Sequence, residues 1–91
     1  MNEIQLLKAI ANLRSFFERK GIAKFDFPHD KLLDYPSCGL EHCHAMLDKM
    51  EVFITEGRLD KVNRWLGFIQ GCLWTQKINT LDRLKDMNRK K

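Results

Sequence analysis

The stretch CGLEHCH, residues 38–44, sets two thiols and two imidazoles within seven positions. Such side chains ligate transition metals, and zinc above all. Cys38 and His42 stand four apart, so a helix would place them on one face as a two-ligand pair. His44 falls about 160° away from His42 around the same helix and cannot join it. A closed zinc site needs four ligands. His29 is the nearest further candidate in sequence, and no CxxC or HExxH spacing supplies the rest. We therefore expect no metal and no other cofactor. His42 and His44 are read as half-exposed helix residues, with His44 facing Asp48 one turn on.

Nucleophilic catalysis needs a cysteine with a lowered pKa and an oriented base. Cys38 beside His42 is the closest arrangement to that, and it has no orienting acid. Glu41, Asp48 and Asp60 read as carboxylates on solvated faces. No catalytic residue is expected, and the chain reads as a binding protein rather than an enzyme.

A second candidate lies in RWLGFIQGCLW, residues 64–74. Gly67 and Gly71 each cost about 1 kcal/mol against alanine in a helix interior. On a helical wheel Leu59, Val62, Trp65, Leu66, Ile69, Cys72 and Leu73 fill one apolar arc of about 140°, widened by Phe68. Asn63, Gly67, Gln70, Gly71 and Trp74 fill a separate arc of about 100°. This second face is smooth, carries two amides and ends in an indole. Three readings are open. The glycines admit the chain's own first helix or N-terminal loop, or they admit another subunit across a seam bonded by Asn63 and Gln70, or they floor a pocket in which Trp74 stacks on a flat ligand. Arg58 and Arg64 would supply charge if the target is anionic.

The elements that must position these residues are helical. Asn2 can cap a first helix over about 3–20, with Leu6, Ala9, Ile10, Leu13, Phe16 and Phe17 on one face and Arg14 at its edge. Gly21 stops it. Residues 22–37 are an irregular connection, with one short helical turn expected at 29–34. Its Phe25, Phe27, Leu32, Leu33 and Tyr35 are expected to pack on the helices. Ser37 is read as the cap of a second helix, 38–56, striped by Leu40, Cys43, Met46, Leu47, Met50, Phe53 and Ile54, and Gly57 stops it. A third helix follows at 58–76. The short link forces an antiparallel hairpin. Thr80 would cap a short C-terminal helix, 81–88. The expected architecture is an all-α single domain over 1–91: three main helices, one short one, and a basic tail at 89–91.

Size and charge bound the function. Ninety-one residues make one modest core. No apolar run reaches the roughly 20 residues that span a bilayer, and the N-terminal pattern lacks the apolar block of a signal peptide; a cytoplasmic location and no membrane partner are expected. Three cysteines without a secretory signal argue against a disulfide framework. The formal charge is +4. The cations from Lys77 onward, set against Asp82 and Asp86, account for the whole surplus. Arg58, Lys61 and Arg64 form a second basic run. No helix-turn-helix, RNP motif or zinc finger accompanies either, so a nucleic-acid partner is disfavoured.

The pattern M..F..EGR..K..RWLGFIQG.LW......TL..LK..NR, from Met50 to Arg89, resembles a group of small proteins encoded by bacteriophages and prophages, generally without assigned function. The RWLGFIQG.LW core is its specific part, and the resemblance covers about the last 40 residues. Val62 stands where a small residue is usual, and Thr75-Gln76-Lys77 where a glycine often falls. The resemblance carries no catalytic residues. It implies an accessory protein of the host-cell cytoplasm that works by stoichiometric binding, engaging a host or defence protein or sequestering a small nucleotide signal; self-association is expected from the glycine face. A structural or nucleic-acid-associated phage protein is the alternative.

Overall fold

Asn2 opens the first helix with a reciprocal cap. Its side chain accepts the Gln5 amide hydrogen at 2.9 Å, and the Gln5 side chain accepts the Asn2 amide hydrogen at 3.0 Å. Two of the four unpaired donors of a helix start are satisfied in this way. In the computed structural model, which describes residues 1–76, α1 runs Glu3–Arg19, α2 Cys38–Thr55 and α3 Leu59–Thr75. The all-α bundle and its α2–α3 hairpin are as the periodicity predicts. The expected C-terminal helix at 81–88 and the basic tail lie outside the described residues.

Two glycines terminate α1 and α2 by one device. Gly21 (φ 68°) and Gly57 (φ 75°) adopt the left-handed conformation. Beyond them the amide of Ile22 donates to the Phe17 carbonyl, and that of Arg58 to the Phe53 carbonyl. These bonds close the last turns as Schellman motifs. Ser37 departs from expectation. Its backbone is already helical and its side chain makes no capping bond. Instead Cys38, Gly39 and Leu40 donate to the carbonyls of Tyr35, Pro36 and Ser37. The helix thus grows out of a tight turn rather than starting at a side-chain cap.

The core is a single cluster. Leu6, Ile10, Leu13 and Phe17 of α1 meet Cys43, Leu47 and Met50 of α2 and Val62, Ile69 and Leu73 of α3, all nearly or fully buried. Its strongest seam is between α2 and α3, then α1 with α2; α1 touches α3 least. Arg14 stands at the α1–α2 edge and bonds both Asp48 (2.8 Å) and Glu51.

The connection over 22–37 forms isolated turns, with no helical turn at 29–34. Leu32 is 98% exposed, and Phe25, Leu33 and Tyr35 are also on the surface. Only Phe27 of the five expected to pack is half-buried. The segment is held to α2 by polar contacts instead. Phe25 N–H donates to the Glu41 carbonyl, Lys24 pairs with Asp48 and Lys49 with Asp26. Polar anchoring leaves the apolar side chains of this strap free to face outward.

Candidate functional site

The strap brings two neighbouring groups of its own, Asp26 and His29, against His42 of α2. Asp26, His29 and His42 each offer one ligand atom, and these atoms all lie within 4.8 Å of one another. Asp26 Oδ1 is 3.6 Å from His42 Nδ1 and 4.0 Å from His29 Nε2. Asp26 and His29 are three apart along the strap, whereas His42 stands near the start of α2. His42 is the most enclosed of the three at 20% side-chain exposure, and His29 the most open at 74%.

Two of the three, His42 and Asp26, are each held by a neighbour. The Phe27 amide donates to His42 Nδ1 at 3.1 Å, so this nitrogen carries a lone pair and the ring is neutral. Burial also holds the His42 pKa below its ordinary value. Lys49 donates to Asp26 Oδ2 at 2.7 Å, which turns Oδ1 toward the imidazoles. That bond keeps the Asp26 carboxyl below the usual carboxylate range. An open groove of about 410 Å³ begins at this cluster, with Phe27, Leu33, Met46, Trp65 and Phe68 among its walls.

His42 therefore sits with His29 and Asp26. Proximity in sequence points to His29, whereas nothing in the helical periodicity points to Asp26. Its signal is the Asp26-x-x-His29 spacing, which gains meaning only when the strap is seen lying across α2. His44 requires correction. It is 4% exposed and does not face Asp48, whose carboxylate is occupied by Arg14 and Lys24. Its Nδ1 lies 2.8 Å from the Ile22 carbonyl, and its ring stacks on Phe17. Its Nε2 has no partner among the described residues.

On α3 the predicted binding residues divide. Gly67, Gly71, Trp74 and Arg64 share the outward side of the helix, opposite the buried stripe of Val62, Leu66, Ile69 and Leu73. A β-carbon built at Gly67 or Gly71 would meet nothing within 4 Å among the described residues. Packing of these glycines against the protein's own first helix is thereby overturned: α1 docks on the other side. Asn63 and Gln70 are half-buried at the rim of this face. The Asn63 amide donates to the Leu59 carbonyl at 3.0 Å, so one of its hydrogens serves its own helix. Arg58 is at the start of α3, where its guanidinium lies 4.9 Å from the Phe53 ring centre. Lys61 covers the same ring at 4.5 Å. With Arg64 they line a shallow basic concavity beside Asp60.

No family model, curated protein or solved structure matches the chain.

The three thiols lie on α2 and α3. Cys43 is buried, and Cys38 and Cys72 are half-buried. Cys43 and Cys72 are neighbours across the α2–α3 seam, close enough that each thiol bears on the other's ionisation. Their proximity lowers the pKa of the Cys72 thiol and, with burial, raises that of Cys43. No helix among the described residues is long and apolar enough to cross a membrane.

Proposed function

We propose that this chain is a non-enzymatic binding protein that acts by stoichiometric association, using the outward face of α3. The observation that carries the reading is the open space over Gly67 and Gly71 among the described residues. Two glycines in mid-helix weaken the helix, and nothing in the described fold uses the room they leave. A second copy of the chain fits that room, because two helices that cross at glycines approach more closely than side chains allow. Trp74 supplies apolar area at the edge of the crossing, and Asn63 and Gln70 supply polar bonds. In the host-cell cytoplasm such an assembly would engage a host or defence protein, as its resemblance to small phage accessory proteins suggests. The basic concavity of Arg58, Lys61 and Arg64 would suit an anionic target, including a nucleotide signal.

Native mass spectrometry of the untagged protein tests this directly. The expected result is an oligomer in the wild type and a folded monomer in Gly67→Leu. A wild type that stays monomeric at all concentrations would remove the self-association. Titration with a panel of cyclic nucleotides then separates a nucleotide target, which gives heat, from a protein target, which does not.

A further inference from the structure

We propose that Asp26, His29 and His42 form a binding site for one divalent transition-metal ion of the zinc type, at the mouth of the groove between the strap, α2 and α3. Two imidazoles and a carboxylate are a donor set that borderline ions such as Zn²⁺ and Co²⁺ accept, with coordination positions left open. The separations are near those required. Bonds of about 2.0–2.1 Å in a tetrahedron place ligand atoms about 3.3 Å apart. The separations to Asp26 Oδ1 are 3.6 and 4.0 Å. His29 stands on an exposed turn and can close the remaining distance by side-chain rotation.

The surroundings are those of a metal ligand set in two further respects. His42 is neutral, and its Nδ1, 3.6 Å from Asp26 Oδ1, carries a lone pair that now accepts the Phe27 N–H and that a bound ion would take over. Asp26 is oriented by Lys49 through the oxygen that does not face the imidazoles. A carboxylate ligand held by an outer hydrogen bond is the usual second layer of a metal site. With Lys49 balancing Asp26, the cluster opposes a cation with no net positive charge. The open coordination positions would look into the groove, past Met46 and Trp65. This site stands apart from the α3 glycine face and does not depend on its role.

The test is titration of the metal-free, full-length protein with Zn²⁺ in competition with a chromophoric chelator, followed by its visible spectrum with Co²⁺. The expected result is one equivalent bound per chain. His29→Ala and Asp26→Asn should each weaken binding tenfold or more, while Cys38→Ser leaves it unchanged. His29 is exposed and its loss spares the fold, so the comparison stands even if a His42 variant does not fold. The cobalt spectrum should show weak ligand-field bands alone. Stoichiometric binding lost in Cys38→Ser, or a strong sulfur-to-cobalt charge-transfer band, would assign the ion to the cysteines and overturn the proposal. So would an absence of binding, or affinity indifferent to His29→Ala and Asp26→Asn.

Discussion

His44 on α2 donates its Nδ1 hydrogen to the carbonyl of Ile22, 2.8 Å away, just past the glycine that ends α1. One side chain thus joins the exit of the first helix to the body of the second. His44→Phe keeps the stack on Phe17 and leaves the Ile22 carbonyl without that partner. Loss of one bond at a buried site costs about 1–2 kcal/mol. Urea denaturation should show a lower midpoint with an unchanged slope.

Asp48 gives the fold an acid limit. The Arg14 guanidinium beside it holds its carboxyl below the ordinary value, with Lys24 adding to the effect. The unfolded carboxyl titrates near 3.9. The folded state binds that proton less tightly, so the stabilisation is complete above the unfolded value and is lost as pH falls through the folded one. The pair is largely solvated, and its contribution at neutral pH stays below about 1 kcal/mol. Thermal melts from pH 7 to 2 should fall more steeply below pH 4 in the wild type than in Arg14→Gln.

Gly67→Ala and Gly71→Ala should each stabilise the isolated chain. Neither glycine has a left-handed backbone, and a methyl group at either meets nothing within 4 Å among the described residues. The gain expected from helix propensity is about 1 kcal/mol each. Guanidinium melts of the two variants check it at concentrations where the protein is monomeric. A loss of stability there would mean that this face is covered within the chain.

The three thiols should differ in reactivity. Cys72 is half-buried with a lowered pKa, Cys38 is half-buried, and Cys43 is fully enclosed. Brief alkylation at pH 7.5 should label Cys72 first and Cys38 next. Cys43 should react only after denaturant is added, as read by peptide mass mapping.

The helices and the core were legible because they repeat. Leu40, Cys43, Leu47, Met50 and Ile54 announce a buried stripe by spacing alone, and all five are buried. The strap has no period, so whatever depends on it was hidden. His44 looks like an edge residue on the wheel. It is buried because Ile22, far back in the sequence, lies over it. Asp26 joins His42 for the same reason. The aromatic and aliphatic residues of the strap misled in the other direction, since Lys24, Asp26 and two backbone amides hold it in place without them. On α3 the wheel separated the glycine face from the core correctly. It could not say whether α1 lay on that face, because the side on which α1 docks is decided by tertiary contacts with α2.

The two connections are of very unequal length. Three residues, Glu56–Arg58, join α2 to α3, whereas eighteen separate the end of α1 from the start of α2. Bringing chain segments together costs less entropy when the intervening loop is short. The α2–α3 hairpin is therefore favoured as the first native contact during folding, with α1 recruited onto it afterwards. Mutations within the hairpin seam, such as Leu47→Ala, should slow refolding. Those on α1, such as Leu13→Ala, should act mainly by hastening unfolding.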